Sequence, residues 1–315
     1  MSGFGQVRSS RNNSDTHAGF IWGVVFGFAK TMRLARLNWS AMEFRSRVAS
    51  ICLVALIAMS AESAPSYLGF DRNDYPGDEN LPALRQTFSY SGFWLNNPPG
   101  AHSNSWTGKR QLVQSAGFGF LVLFNGRLDA ELKSVSNAGK LGKSDALTAT
   151  EAARREGFPA QAIIFLDQEQ GGRMLPEQKA YIYAWVDGIS AAGFRAGVYC
   201  SGIPATDDEN IVTANDIRNS AGSRSIVYFV SDDACPPAPG CVFPERAPTP
   251  TDSGIRFADI WQFAQSPRRA EFTAKCSASY SSDENCYPPG TDIAKHLHVD
   301  VETATSPDPS RGRSR

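Results

Sequence analysis

The decapeptide IIFLDQEQGG, Ile163–Gly172, begins as an apolar run the length of one buried strand, then presents two carboxylates and breaks at paired glycines. Residues two apart on a strand point to the same side, with Cα atoms roughly 6.5–7 Å apart. Asp167 and Glu169 are therefore expected to face one way, and Leu166 and Gln168 the other. Two carboxylates in a shared, partly desolvated pocket cannot both ionise cheaply, so one of them should keep a proton near neutral pH. One acid and one charged carboxylate is the division of labour that glycosidic bond cleavage uses. Gly171 and Gly172 let the chain turn sharply beside a ligand.

Working outward, similar short runs recur with helical or loop segments between them. Strands are predicted at 67–71, 90–95, 119–124, 162–167, 196–200, 226–230, 259–263 and 298–301. The clearest helix is PEQKAYIYAWVDGISAA, 176–192, opened by a proline and ended at Gly193. Further helices are predicted at 79–86, 109–115, 144–156 and 214–221. Strands alternating with helices over this length predict an α/β fold, a single TIM-like (β/α)8 barrel. A doubly wound open sheet is the alternative, but GFDRNDYPGD after the first strand is no glycine-rich phosphate turn. The segments 234–254 and 274–290 read as loops decorating the scaffold. The tail from Ser306, SPDPSRGRSR, reads as disordered.

In such a barrel the C-terminal strand ends share one face, where the site is expected. The side chains predicted there are Asp71, Trp94 with Asn96, Asn125, Asp167, Glu169, Ser201, Asp232, Gln262 and Asp300. Trp94, Tyr199 and Trp261 could stack on sugar faces, although packing is the commoner use of such rings. In KHLHVD, residues His296, His298 and Asp300 alternate, so a metal constellation is one reading. The favoured one makes His298 a hydrogen-bond partner of the acids, with no metal and no cofactor. GxSxG, P-loop, HExxH and Cys/His signatures are missing, so triad and nucleotide chemistries have no support.

The chain has 315 residues and a net charge of −1, with the basic excess confined to residues 1–63. Its mildly acidic remainder offers no footprint for nucleic acid. Residues 42–65, MEFRSRVASICLVALIAMSAESAP, have the basic, apolar and small-residue layout of a secretory signal peptide, with cleavage after Ser63 or Ala64. The apolar run is short for a stable membrane span. An uncleaved anchoring helix is the alternative. Residues 1–41 are long for such a leader, so Met32 or Met42 is a candidate start. A secreted or periplasmic protein is expected, with residues 64–305 forming the barrel. Oxidising surroundings make Cys235 with Cys241, and Cys276 with Cys286, candidate local disulfides pinning the loops. Cys200 is expected to be a buried, unreactive thiol.

Taken in order, YLGFDRNDYP, FWLNNPPG, GFGFLVLFNGR, IIFLDQEQGG, GFRAGVYCSG and DIWQFAQ with HVDVE resemble the glycoside-hydrolase-like domain family, long catalogued as a domain of unknown function. That family is similar to the family 25 glycoside hydrolases, muramidase lysozymes with a (β/α) barrel. The resemblance spans about residues 65–303. It implies a hydrolase in which Asp71 ends the first strand and Asp167 and Glu169 form a D-x-E on the fourth, with Glu169 the general acid. Asp232, or Asp233 beside it, matches an acid near the sixth strand, and Trp261, Gln262 and Asp300 match a terminal motif. The catalytic set is thus Glu169, Asp167 and Asp71. Asp232, Asp300, Trp94, Asn125, Tyr199, Trp261, Gln262 and His298 would bind substrate. The expected partner is a polysaccharide, peptidoglycan first, and the chain is expected to be a monomer. A non-catalytic glycan-binding barrel is the alternative.

Overall fold

The computed structural model describes residues 65–206, 209–232, 244–266 and 297–314. Chain order gives strands β1 (Tyr67–Asp71), β2 (Tyr90–Trp94), β3 (Gly119–Asn125), β4 (Ile163–Asp167) and β5 (Arg195–Ser201). Two short strands, β6 (Pro204–Ala205) and β7 (Ile211–Val212), pair with each other beside the main sheet. Then come β8 (Ile226–Ser231), β9 (Ile260–Ala264) and β10 (Asp300–Ala304). The helices are α1 (Leu81–Thr87), α2 (Arg110–Ser115), α3 (Asp129–Leu132), α4 (Val135–Glu156), α5 (Pro176–Ala191) and α6 (Thr213–Ser220).

Eight strands close a barrel in the order β1-β10-β9-β8-β5-β4-β3-β2. The fold is therefore mixed α/β around a closed eight-stranded barrel. One expectation is corrected. Seven strands run parallel, but β10 is antiparallel to both neighbours, β1 and β9. A parallel strand needs a crossover back to the opposite end, whereas an antiparallel one can start at the end where its predecessor stopped. So β10 enters at the mouth, and Asp300 lies there because it begins its strand, opposite Asp71, which ends β1.

The barrel closes tightly because glycines face bulky inward side chains. A Cβ on Gly69 would lie 2.0 Å from the Tyr90 ring, and one on Gly197 would lie 2.3 Å from the Phe165 ring. Outside, α4 and α5 pack at close range, since a Cβ on Gly142 would sit 2.3 Å from the Tyr181 carbonyl oxygen. Asp145 anchors that contact. It accepts two hydrogen bonds from Arg127, at 2.8 and 2.9 Å, and one from the Tyr181 hydroxyl at 2.9 Å. Helix α4 starts nine residues before the predicted Ser144, where Ser134 accepts from the Asn137 amide as its cap.

The tail is a second correction. Residues 306–314 fold under the barrel rather than staying disordered. Ser310 accepts from the amides of Ile163, on its carbonyl at 2.7 Å, and Val122, on its hydroxyl at 2.8 Å. The Ser310 amide donates to the Phe120 carbonyl at 2.8 Å. Asp308 accepts from the amides of Phe120, Gly312 and Arg313. Arg110 donates to the Gly312 carbonyl at 2.7 Å. These contacts satisfy backbone groups where β3 and β4 begin, which would otherwise lack partners.

Cys200 is free and fully buried, and burial pushes its thiol up to about 12. Cys235, Cys241, Cys276, Cys286, His296, Asp233 and the leader lie outside the described residues. No helix among the described residues is long and apolar enough to cross a membrane.

Candidate active site

The mouth of the barrel holds a cavity of about 310 Å³ whose walls include Asp71, Trp94, Asp167, Glu169, Tyr199, Gln262, His298 and Asp300. That volume is within the range for a small-molecule or sugar site. Three of its acids, Asp71, Asp167 and Asp300, come from the end of β1, the end of β4 and the start of β10, and Glu169 comes from the loop just after β4.

Asp71 is buried, and Gly92 makes room for it: a Cβ there would lie 2.4 Å from the Asp71 Cβ. The Gln262 amide nitrogen donates to Asp71 at 3.2 Å and to Asp300 at 3.4 Å. Its orientation is fixed from the other side, because the Gln262 carbonyl oxygen accepts from the Tyr199 hydroxyl at 2.7 Å and from Gln265 at 2.9 Å. Asp300 also accepts from the Ser266 amide. The indole nitrogen of Trp94 donates to the Arg72 carbonyl at 3.2 Å, which holds the ring in the wall.

Burial dominates the electrostatics. Asp167 is pushed well above the usual carboxylate range by burial first, then by the charges of Glu169 and Asp71. One of its oxygens has no hydrogen-bond partner among the described residues. Burial also raises Asp71, against the opposing pull of hydrogen bonds from Glu302 and Gln262. Glu169 is exposed at the rim. The two acids of the D-x-E thus differ in surroundings, with Asp167 buried and Glu169 exposed.

Three candidates stand apart from the cavity. Trp261 is fully buried and packs on Phe263 at 5.5 Å, because its neighbour Gln262 takes the inward face of β9 and alternation turns the indole outward. Its indole nitrogen donates to the carbonyl of Asp232 at 3.0 Å, so these two tie β9 to the end of β8. Asn125 donates to the Asn97 carbonyl at 3.0 Å and receives Asn96 on its own carbonyl at 2.9 Å, pinning the loop after β2. Sequence reasoning missed Glu302, Arg72 and Gln265. Glu302 follows Asp300 by two residues and so shares its inward face.

Residues 95–232 match the profile of the Rv2525c-like, glycoside hydrolase-like domain. Over that stretch, a little under half of the chain, the sequence is similar to the glycoside hydrolase-like domain. The glycoside hydrolase-like stretch contains Trp94's loop, Asp167, Glu169 and Tyr199, while Asp71, Gln262 and Asp300 flank it in sequence and join it in space. No curated protein matches the chain. Among solved structures, an uncharacterized B. stearothermophilus protein is 18% identical, with 76% of this chain and 95% of that chain covered and a TM-score of 0.46. The Mycobacterium tuberculosis Tat-secreted protein Rv2525c is 14% identical over 78% and 97% of the two chains, with a TM-score of 0.45. GHIP, a glycosyl hydrolase 25 of Streptococcus pneumoniae, is 14% identical over 81% and 91%, also at 0.45.

Proposed function

We propose that the chain is an exported glycoside hydrolase that cleaves glycosidic bonds in peptidoglycan or another polysaccharide by carboxylate acid/base catalysis. The observation that carries this reading is the gathering of acids at the mouth: Asp167 buried, Glu169 exposed at the rim, and Asp71 buried in the same cavity. A glycosidic oxygen entering from solvent meets Glu169 first. In the step we assign, Glu169 as general acid gives its proton to that oxygen as the bond to the anomeric carbon breaks. The positive charge that develops on the sugar faces the Asp71 carboxylate. Water then adds to the anomeric carbon, and its proton returns to Glu169. Trp94 and Tyr199 offer ring surface to the sugars on either side.

Turnover of purified peptidoglycan tests the reading. The mature protein should release new reducing ends, and the Glu169→Gln variant should not. Equal release by both would remove the catalytic claim. Export rests on the leader at 42–65. The native exported protein should begin at Ala64 or Pro65 by N-terminal sequencing, and an intact leader on it would refute export.

A non-catalytic glycan-binding barrel is the second reading. The Tyr199, Gln262 and Gln265 network favours it, because it fixes the pocket's polar groups before any ligand arrives. Saturable polysaccharide binding without reducing-end release would select it.

A further inference from the structure

Below the cavity lies a carboxyl that the proposed chemistry does not use. Glu302 on β10 is fully buried, and neither of its oxygens has a conventional donor among the described residues. Its place follows from the register. Glu302 lies opposite Gly69 on β1, and Asp300, one step nearer the mouth, lies opposite Asp71. With no side chain at Gly69, the Glu302 side chain can reach the Asp71 carboxyl across β1. On the other flank Glu302 pairs with Gln262 of β9, whose amide nitrogen is already committed to Asp71 and Asp300.

The groups that act on this pair are acids and phenols. They are Asp300 on the same strand, Tyr90 on β2, Asp167 on β4 and Tyr199 on β5. The Tyr90 hydroxyl is itself buried without a hydrogen-bond partner among the described residues. Two adjoining carboxylates in such surroundings cannot both be charged. One must therefore carry a proton, and the deeper one is the costlier to ionise. Burial first, and then the Asp71 charge, raise Glu302 well above the usual range, while the hydrogen bond between the two pulls Asp71 down.

We propose that Glu302 is a positioning residue: it carries a proton at neutral pH, donates it in a hydrogen bond to Asp71, and so makes Asp71 the charged member of the pair on the cavity floor. This deepens the proposed function, since a charged Asp71 is what faces the developing sugar cation. The protonation itself does not depend on turnover.

Carbon-detected NMR of the side-chain carboxyls of the full chain tests it, through a pH titration of wild type, Glu302→Gln and Glu302→Leu. In wild type the Asp71 signal should move in two steps, the alkaline one shared with Glu302. Gln keeps a donor but has no proton to lose, so Glu302→Gln should retain the first step and abolish the second. Leu fills similar space without a donor, so Glu302→Leu should move the Asp71 midpoint up by about one pH unit or more, a tenfold change in its ionisation constant. A purely space-filling Glu302 would leave that midpoint where it is in Glu302→Leu, and that result would overturn the proposal. If Glu302→Leu does not fold, a second step that persists in Glu302→Gln overturns it instead. Wild type that shows this titration yet releases no reducing ends would refute the hydrolase and leave the role of Glu302 standing.

Discussion

The two ends of the barrel solve opposite problems. At the closed end, the tail brings Ser310 and Asp308 to the first amides of β3 and β4, and each backbone donor they meet gains an acceptor. At the mouth, buried carboxyls are left short of donors among the described residues: one Asp167 oxygen has none, and Glu302 meets only another carboxyl, Asp71. Unsatisfied buried polar groups cost about 1–3 kcal/mol each. A fold keeps such a cost where the groups do something, so stability should reside at the closed end and chemistry at the mouth. Substitutions at the two ends should then separate the two properties.

The largest separation is expected from Glu169→Gln. Removing a general acid should lower turnover by about 10²- to 10⁴-fold. Glu169 is exposed, so the melting temperature should stay close to wild type, as surface substitutions change stability by about 0.5 kcal/mol or less. Turnover and thermal melting measured on one preparation check both halves. A loss of stability that matched the loss of activity would break the contrast.

The mirror experiment is Asp308→Ala. It strips the acceptor from the amides of Phe120, Gly312 and Arg313. A cost of about 2 kcal/mol in urea unfolding is expected, with reducing-end release unchanged. If activity fell instead, the tail would be coupled to the mouth.

The carboxyl inequality makes a third, smaller effect, with a definite sign. Unfolded, Asp167 has an ordinary carboxyl and loses its proton near pH 3.9; folded, burial holds that proton to much higher pH. Above the unfolded value the unfolded chain binds fewer protons, so rising pH favours unfolding. The contribution is fully present below about pH 4 and declines, by up to about 1.4 kcal/mol per pH unit, until the folded group ionises. Glu302 and Asp71 act in the same direction. Unfolding free energy followed from pH 4 to pH 8 should fall less steeply in Asp167→Asn, which stays neutral. An equal slope in both proteins would show that Asp167 is charged throughout.

Much of this was legible in the sequence, because strands buried on both faces announce themselves as apolar runs. The first strand was placed at 67–71, where it is, and the others mostly within a residue or two. Direction was not legible. HLHVDVETA reads equally well as a strand pointing either way, and ending it at Val301 hid Glu302. Alternation was legible but unevenly applied: the rule that put Asp167 and Glu169 on one side also forbids Trp261 and Gln262 from sharing one. The first turns of α4 were obscured by Gly139 and Gly142, poor helix formers. Gly142 is explained by the Tyr181 carbonyl of α5 against it. The composition of SPDPSRGRSR suggested disorder because its partners, the amides of Phe120 and Val122, are 188 residues away in the chain.

Tyr199→Phe probes whether the polar network of the mouth belongs with its chemistry or with the scaffold. The hydroxyl donates to Gln262 at 2.7 Å and accepts from Gln265 at 3.0 Å, so it touches both amides from β5. Without it the Gln262 amide keeps only Gln265 as donor to its oxygen, so its nitrogen is held less firmly toward Asp71 and Asp300. The ring stays packed on Phe229, at 4.7 Å between centroids, so little core contact is lost. One hydrogen bond's worth, about 1 kcal/mol, should appear as a roughly fivefold fall in kcat/KM or in glycan affinity. It should not appear in the melting temperature, because Gln265 still donates to the Gln262 carbonyl oxygen and the barrel's backbone pairing is untouched. The reverse outcome, a lower melting temperature with unchanged affinity, would place this network with the tail as scaffold and confine the chemistry of the mouth to its carboxyls.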